Sequence, residues 1–309
     1  MRGMLAIYQR ELLILRKKFF RQLASMSVSP LLYLFAFGFG MGRGVRVGGH
    51  SYLEFLIPGL VAMNSMIQAF AIASEINIAR FYWHIFEEFQ AAPLSNISYV
   101  TGEVLAGITR ALFSTALILS IAALSGVVLS YNFYFWLAVA LNSFVFASLA
   151  VGLAMLVKSH SDQALLTNFF ITPMAFLGGT FFPVDTMPQW VQHILQFLPL
   201  THASRAIRAA AFDDPPDFSS YLLLALLGAV FFVLAFHWVN RTRVSAIPPQ
   251  RRGIVRSRKE HRAFTAEAQR TQRKQSLARY ACQKVKKLHI SITRRSLDGI
   301  YRINKNCYF

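Results

Sequence analysis

Residues 111 to 157 read ALFSTALILSIAALSGVVLSYNFYFWLAVALNSFVFASLAVGLAMLV, and no charged side chain interrupts these 47 positions. A helix crosses about 30 Å of hydrocarbon with about 20 apolar residues, so this run is long enough for two crossings. The tripeptide Ser130-Tyr131-Asn132 is the only turn-like break within it. The stretch therefore predicts two membrane-spanning helices joined by a turn.

Four further uncharged runs have the length of a single span. They lie between Arg21 and Arg43, between Glu54 and Glu75, from Gln163 to Val184, and from Phe218 to Asn240. The fifth span in chain order contains Pro and Gly, which bundled membrane helices tolerate, although a misassigned fifth span would give an odd count. The fold class predicted from these runs is an all-α polytopic membrane protein with six spans.

Composition and charge placement support this fold and orient it. The chain is 55% hydrophobic and 15% charged, more apolar than a soluble domain of this length. With the amino terminus inside, the cytoplasmic flanks of the spans contain ten Lys and Arg and the outer flanks four. We therefore predict a multi-pass protein of the cell inner membrane with both termini in the cytoplasm.

The net charge of +18 is concentrated at the carboxyl end. Residues 241–309 hold 19 of the 32 Lys and Arg, 3 of the 14 acidic residues and both cysteines, Cys282 and Cys307. We divide the chain into an amino-terminal helix (1–21), a six-span transmembrane domain (22–240) and a basic tail (241–309) expected to be disordered. The tail resembles a translated genomic repeat, which indicates an accidental extension; binding to the anionic inner leaflet and to nucleic acid are alternatives.

The amino-terminal segment has an amphipathic pattern. Its apolar residues recur at steps of three and four, on one helical face, at Leu5, Tyr8, Leu12, Leu15 and Phe19. Such a helix can lie at the membrane interface ahead of the first span. An ordinary charged flank that extends the first span is the alternative.

The loop after the second span, RFYWHIFEEFQAAPLSN from Arg80 to Asn96, combines aromatic residues with two adjacent acids. Aromatic anchors beside paired charges are typical of a helix that docks into a partner, and Pro ends it. A helix resting on the membrane surface is the alternative. The candidate partner-contact residues are Arg80, Trp83, Phe86, Glu87, Glu88, Phe89 and Pro93.

Two ionisable residues, Glu103 and Arg110, lie seven positions apart on one face of the third predicted span. Charged groups inside membrane helices usually face a bundle interior or a wet cavity, so both are candidates for a pathway or a helix interface. Alternatively, Arg110 reaches back to the lipid headgroups. Gly38 and Gly42 form a G-x-x-x-G pair that would permit close helix approach.

The segment from Phe181 to Asp217 is too polar and too rich in Pro for a simple span. We predict short re-entrant or interfacial helices on the extracytoplasmic side, capping the outer mouth of a pathway. A surface loop with a structural role only is the alternative. The candidate residues of this segment are Pro183, Pro188, Trp190, Pro199, Arg205 and Arg208.

The sequence offers no catalytic constellation. No G-x-x-x-x-G-K-S/T phosphate loop and no H-E-x-x-H occur, and the histidines have no metal-ligand spacing. We therefore expect no enzyme, no metal site and no cofactor bound by this chain.

Three motifs together resemble a known family. They are EEFQAAPLS (Glu87 to Ser95), GEVLAGITRALF (Gly102 to Phe113) and GGTFFPVDTMPQWVQHILQFLPLTHASRAIR (Gly178 to Arg208). This set resembles the ABC type-2 permeases over roughly residues 1 to 245, nearest to permeases that export nodulation lipo-oligosaccharides and drugs.

The resemblance implies an exporter subunit that pairs with a second permease copy or homologue, in membrane lipid, and with two separate ATPase subunits. ATP and Mg would bind to those partners. The segment from Arg80 to Pro93 would then be a coupling helix, with Glu87 and Glu88 at the ATPase. The substrate would be an amphiphile, such as a lipid-linked saccharide or a drug. A passive channel or a membrane scaffold without an ATPase is the alternative, and no nucleic-acid partner is expected.

Overall fold

The computed structural model of the protein describes residues 2–41, 44–82, 94–127, 129–157 and 159–246. Residues 247–309, which make up most of the predicted tail, lie outside the described residues. The disorder expected for the tail therefore stays a prediction.

The described chain is almost entirely helical, with one two-stranded hairpin. Its elements in chain order are α1 (Arg2–Lys17), α2 (Phe19–Tyr33), β1 (Arg46–Val47), β2 (His50–Ser51), α3 (Tyr52–Phe70), α4 (Ile72–Phe81), α5 (Asn96–Leu124), α6 (Phe133–Leu156), α7 (His160–Leu166), α8 (Thr172–Leu177), α9 (Gln189–Gln196), α10 (Pro199–Ala211) and α11 (Phe218–Ala246). A π-helical segment, Leu34–Met41, continues α2, another, Thr167–Ile171, joins α7 to α8, and a 3-10 turn covers Val184–Thr186.

Four helical stretches are long and apolar enough to cross a membrane. They are Tyr52–Phe81, Asn96–Leu124, Phe133–Leu156 and Phe218–Thr242. They correspond to the second, third, fourth and sixth predicted spans. The count of six stays a prediction.

The first and fifth predicted spans are helical but irregular. Helix α2 passes directly into the π-helical segment Leu34–Met41, and the fifth runs without a break from His160 to Leu177. The fifth helix ends earlier than the predicted Val184 because the chain turns at Gly179, whose φ of 78° favours glycine. Short π-helical segments inside helices are frequent at functional sites, and they distinguish these two predicted spans from the four regular apolar helices.

Polar side chains cap several helix starts. Ser51, Ser95, Asn132 and Ser159 each accept a hydrogen bond from the backbone N–H three residues ahead. Ser51 and Glu54 form a reciprocal capping box. The predicted break before the fourth span is confirmed, because α5 ends at Leu124 and Asn132 caps α6.

The α3–α4 stretch is the centre of the bundle. Its most apolar part is 83% buried, whereas that of α11 is 22% buried. Helices α5, α6 and α10 pack around α3, and α11 packs on α6. The outward face of α11 carries a stripe of exposed aliphatic side chains, Leu222, Leu226, Val230 and Val233. A helix with this pattern is suited to the lipid boundary.

Helix α11 runs to Ala246, past the boundary expected at Asn240. No Pro or Gly occurs between Asn240 and Pro248, so the sequence contains nothing that would stop the helix earlier. The first residues of the predicted tail therefore belong to the last helix.

Helix α1 packs on α5 along one side. Ile7 is buried, and a Cβ on Gly102 of α5 would lie 2.9 Å from its Cγ2, so the glycine permits this approach. The Tyr8 hydroxyl lies 3.0 Å from Thr109 Oγ1. Leu5 and Leu12, on the predicted apolar face, stay exposed. One side of α1 is therefore fixed to the bundle, and its position at a membrane interface remains a prediction.

Candidate pathway and partner-contact sites

Arg110 of α5 forms an ion pair with α4. Its Nη1 lies 3.4 Å from Glu75 Oε1, and both side chains are mostly buried. Burying an unpaired charge inside the helix bundle costs free energy, and pairing the two opposite charges lowers that cost. Arg110 is therefore held by the neighbouring span.

Glu103 of α5 is buried and faces α1 instead. Arg10 Nη2 lies 3.3 Å from Glu103 Oε1, and Arg10 also pairs with Glu11, which is buried too. Among the described residues, Glu103 Oε2 has no hydrogen-bond partner. Although Glu103 and Arg110 share one face of α5, they contact different neighbours, and each is engaged within the chain.

Arg80 lies at the end of α4, beside the end of α6. Its Nη1 donates a hydrogen bond to the carbonyl oxygen of Ala154 at 2.5 Å, and its guanidinium lies 5.1 Å from the centre of the Phe81 ring. Carbonyls in the last turn of a helix lack helical partners, and a cation there is favourable. Arg80 therefore links the ends of two spans. The other predicted contact residues, Trp83, Phe86, Glu87, Glu88, Phe89 and Pro93, lie outside the described residues.

Within the described residues, uncharged amide side chains make several buried polar contacts between helices, and the sequence analysis did not predict them. Asn142 of α6 donates to the carbonyl of Ala62 at 3.0 Å and to Ser65 Oγ at 2.9 Å. The remaining pairs are Asn64 with Ser114 and Asn77 with Gln163. Amides within apolar runs were the available signal, because such groups need partners in a membrane.

Gly38 lies in the π-helical segment after α2 and packs within the chain. A Cβ there would lie 2.6 Å from Leu53 Cδ1 of α3. Gly42, the second member of the predicted G-x-x-x-G pair, lies outside the described residues.

The first and fifth predicted spans contact each other through four aromatic rings. Ring centres lie 6.1 Å apart for Tyr33 and Phe176, 5.3 Å for Tyr33 and Phe181, and 4.8 Å for Phe37 and Phe181. Pairs at these separations are attractive. The two irregular spans are therefore neighbours.

These two spans also expose polar side chains midway along their length. Asn168 and Thr172 are exposed on the fifth, next to Phe169 and Phe170, which are 72% and 64% exposed. Ser25 and Ser29 are exposed on α2. Hydrocarbon solvates an amide poorly, so this surface differs from the aliphatic face of α11.

The segment after α8 folds back onto the bundle. A Cβ on Gly59 of α3 would overlap the backbone of Thr180, and the Tyr52 hydroxyl donates to the carbonyl of Phe181 at 2.8 Å. We call the hairpin, residues 44–51, together with residues 178–217 the hairpin end of the bundle.

The predicted outer residues occupy distinct places in this segment. Pro183 precedes the 3-10 turn, Pro188 and Pro199 lie at the starts of α9 and α10, and Trp190 is exposed on α9. Proline is favoured at helix starts because no N–H is needed there.

Arg205 and Arg208, both on α10, come together at a cavity of about 550 Å³ in the hairpin end. Arg208 Nη2 donates to the carbonyl of Gly179 at 2.9 Å, and its guanidinium lies 3.9 Å from the centre of the Phe55 ring. Burial lowers the pKa of the Arg208 guanidinium to about 10. Arg205 pairs with Asp185 at 3.5 Å. Within the described residues, no group of three or more His, Cys, Asp or Glu is placed to hold a metal.

Comparison with known families decides what kind of protein carries this bundle. Residues 2–212 match the model of a family described as ABC-2 type transporter, which is more than half of the chain. The chain belongs to the ABC-2 type transporter family. The resemblance found in the sequence is thereby confirmed.

Named relatives of this ABC-2 protein are transport and nodulation proteins. The inner membrane transport permease YadH of Escherichia coli (strain K12) is 28% identical over 211 residues, covering 65% of this chain and 80% of the relative. Nodulation protein J of Sinorhizobium fredii (strain NBRC 101917 / NGR234) is 31% identical over 235 residues, covering 75% and 89%. Nodulation protein J of Rhizobium leguminosarum bv. viciae is 31% identical over 220 residues, covering 68% and 83%.

Membership in the ABC-2 family makes this a transport permease. The family and the name of its Escherichia coli relative point to a multi-pass protein of the inner membrane, in agreement with the apolar helices. ABC-2 permeases work with ATPase subunits as a general property of the family.

Proposed function

We propose that this chain is the membrane subunit of an ABC exporter, in which two permease chains form the translocation pathway and two separate ATPase subunits drive transport. The substrate is an amphiphile, a lipid-linked saccharide or a drug. Family membership and relatives named for transport and nodulation support this proposal. In the proposed topology the chain crosses the membrane six times, both termini lie in the cytoplasm, and the hairpin end lies outside.

The observation that carries the pathway is the exposed polar surface on the first and fifth spans. Asn168 and Thr172 lie on the fifth predicted span, and both side chains are exposed in the described chain. Polar groups at membrane depth usually face protein or water. In the proposed assembly a second permease chain lies against this surface. A hydrated route for the substrate runs between the two chains.

Arg80 gives a physical basis for coupling. The proposed ATPase-contact segment, Arg80 to Pro93, follows α4 directly, and the Arg80 guanidinium binds the end of α6. A force applied to this segment would therefore act on two spans at once. Closure of the ATPases would then tilt them together, in the manner of rigid-body switching. Glu103 and Arg110 act in this scheme as interface residues that hold α1, α4 and α5 together.

Copurification tests the ATPase partnership. The full chain, extracted in detergent with its endogenous partners, is compared with the variant Glu87→Arg/Glu88→Arg for bound ATPase subunit and for ATP hydrolysis. The matched control is Asp185→Arg/Asp214→Arg, which reverses two exposed acids at the opposite, hairpin end. We expect the ATPase in the wild type and the control and its loss in the first variant. An intact membrane assembly without any ATPase would instead favour a passive channel or a scaffold.

Cysteine labelling tests the pathway surface. In a background with Cys282 and Cys307 replaced by Ser, Asn168→Cys should react in membranes with a water-soluble maleimide. The control Leu226→Cys, on the aliphatic face of α11, should stay unlabelled because lipid covers it. Equal labelling of both positions, or none at Asn168→Cys, contradicts a hydrated route along the fifth span.

A further inference from the structure

Two side-chain hydrogen bonds join helices at the end of the bundle opposite the hairpin end. Arg80, in the last turn of α4, donates to the carbonyl of Ala154 in the last turn of α6. Asn96, the first residue of α5, donates through Nδ2 to Oδ1 of Asn240 on α11, 144 positions away in the chain. The end of α4 and the start of α5 are therefore each bonded to a later helix.

The two helices that accept these hydrogen bonds pack closely against each other. Among the described helices, no other pair packs as extensively as α6 and α11. Two glycines permit this approach. A Cβ on Gly152 would lie 2.9 Å from Cε3 of Trp238, and a Cβ on Gly228 would overlap the ring of Phe144. Closely packed surfaces resist relative movement, so we expect α6 and α11 to move as one body.

The two hydrogen bonds flank the proposed ATPase-contact segment. Arg80 is the first residue of that segment, and Asn96 follows its last residue, Pro93, by three positions. A force on the segment would therefore reach the α6–α11 pair twice, from the end of α4 and from the start of α5. One attachment alone would let the pair pivot about that contact. Two attachments, one on each helix of the pair, also fix its orientation.

We propose that Asn96 and Asn240 are positioning residues for coupling, whose hydrogen bond attaches the far end of the ATPase-contact segment to α11. The inference rests on the proposed exporter function, because an ATPase has to move the segment. It gives a role to Asn240, which is distant from the segment in sequence, and it makes α11 part of the body that ATP moves. An amide pair suits this contact because it joins two helices without burying a charge.

The conformational response to ATP tests this role. The reporter is Asn168→Cys in the full chain with Cys282 and Cys307 replaced by Ser, extracted in detergent with its endogenous partners. Its rate of labelling by a water-soluble maleimide is measured with and without ATP and Mg²⁺. We expect ATP to change the rate in the reporter chain and Asn240→Ala to reduce that change about threefold or more. Asn96→Ala should have the same effect, and the double variant should add nothing, because each removes the same hydrogen bond.

Tyr221→Phe is the matched control. It removes the hydrogen bond from the Tyr221 hydroxyl to the carbonyl of Tyr134 at 3.1 Å, which joins α11 to α6 at their hairpin end. We expect its Tm to fall about as much as that of Asn240→Ala, while its response to ATP stays that of the reporter chain. In both variants the ATPase subunit should copurify and hydrolyse ATP, so that a lost response is not a lost partner.

The outcomes separate this inference from the exporter proposal. If the ATPase copurifies and the reporter responds to ATP, an unchanged response in Asn240→Ala overturns the inference alone. An equal loss of response in Tyr221→Phe also overturns it, because the effect would then follow stability. An assembly that hydrolyses ATP without changing the reporter contradicts the inference as well, and an intact assembly without an ATPase contradicts both proposals. If Asn240→Ala does not fold, Asn96→Ala decides, because Asn96 is only half-buried.

Discussion

Arg110 Nη1 lies 3.4 Å from Glu75 Oε1, and these side chains, 13% and 20% exposed, join the third predicted span to the second. The contact links residues 35 positions apart. It turns two costly charges inside the bundle into a helix-to-helix contact.

Removing one partner should cost more than removing both. We expect Arg110→Met to lower the free energy of unfolding by about 2 kcal/mol, since the mostly buried Glu75 carboxyl then loses its ion-pair partner. Adding Glu75→Gln should restore most of the loss. The measurement is the Tm of the purified chain in detergent, with Arg16→Met, an exposed arginine of α1, as control. Additive losses in the double variant would show that the two residues do not interact.

Two asparagines of predicted spans, one buried and one exposed, should behave differently. Asn142→Ala removes the hydrogen bonds to Ala62 and Ser65 and should destabilise the chain by about 1 kcal/mol. Asn168→Ala, on the exposed surface of the fifth span, should leave the Tm unchanged but reduce transport. Thermal unfolding in detergent and export assays in cells measure the two effects. A lower Tm in Asn168→Ala would place that side chain inside the bundle instead.

Gly59 has no room for a side chain. Gly59→Ala would place a Cβ against the backbone of Thr180, which cannot move away as a side chain could, so we expect a loss of about 2 kcal/mol. Gly40→Ala is the matched control, because the nearest atom to its Cβ would be the Phe35 carbonyl oxygen at 3.6 Å. The Tm values of both variants test this. Equal tolerance would mean that the segment after α8 does not pack on α3.

Asp217 should stabilise the start of α11 in a pH-dependent way. It accepts hydrogen bonds from Ser219 N, Ser219 Oγ and Ser220 Oγ, and these hydrogen bonds lower the pKa of its carboxyl. Since the native pKa is below the unfolded one, the stabilisation is complete above the unfolded pKa and is lost as pH falls through the native pKa.

Asp217→Ala should therefore cost about 1 kcal/mol at pH 7 and less in acid. The check is the Tm difference from wild type, followed from pH 7 down to the lowest pH at which both chains unfold reversibly. Asp214→Ala, at an exposed aspartate just before, is the control. A Tm difference that stays constant with pH would show that the carboxylate charge does not contribute.

Local features of the chain were predictable because they depend on residues close in sequence. The uncharged run from 111 to 157 predicted two helices, and Asn132 caps the second of them as the break required. The amphipathic pattern of residues 4 to 20 predicted α1. The motifs around Glu103 and Pro183 identified the family, which the comparison confirmed.

Contacts between distant residues were not predictable. Glu103 and Arg110 were placed on one helical face, but nothing in their spacing identifies Arg10 and Glu75 as partners. The amides of Asn77 and Gln163, 86 positions apart, likewise meet only in the folded bundle. Such pairs depend on how each helix is rotated about its own axis. A span with apolar residues on all sides does not show in its sequence which face points into the bundle, so this rotation cannot be predicted.

The sequence by itself determined that this is an apolar helical bundle of the ABC-2 family, because hydrophobic run length and local motifs encode both. Only the tertiary structure decided which helix is central, which polar residues are paired, and which stay exposed on the first and fifth predicted spans. It also brought Arg205 and Arg208 together with Phe55 and Asp185 around one cavity. The physical reason is that burial and pairing are properties of packed helices, and no single segment contains them.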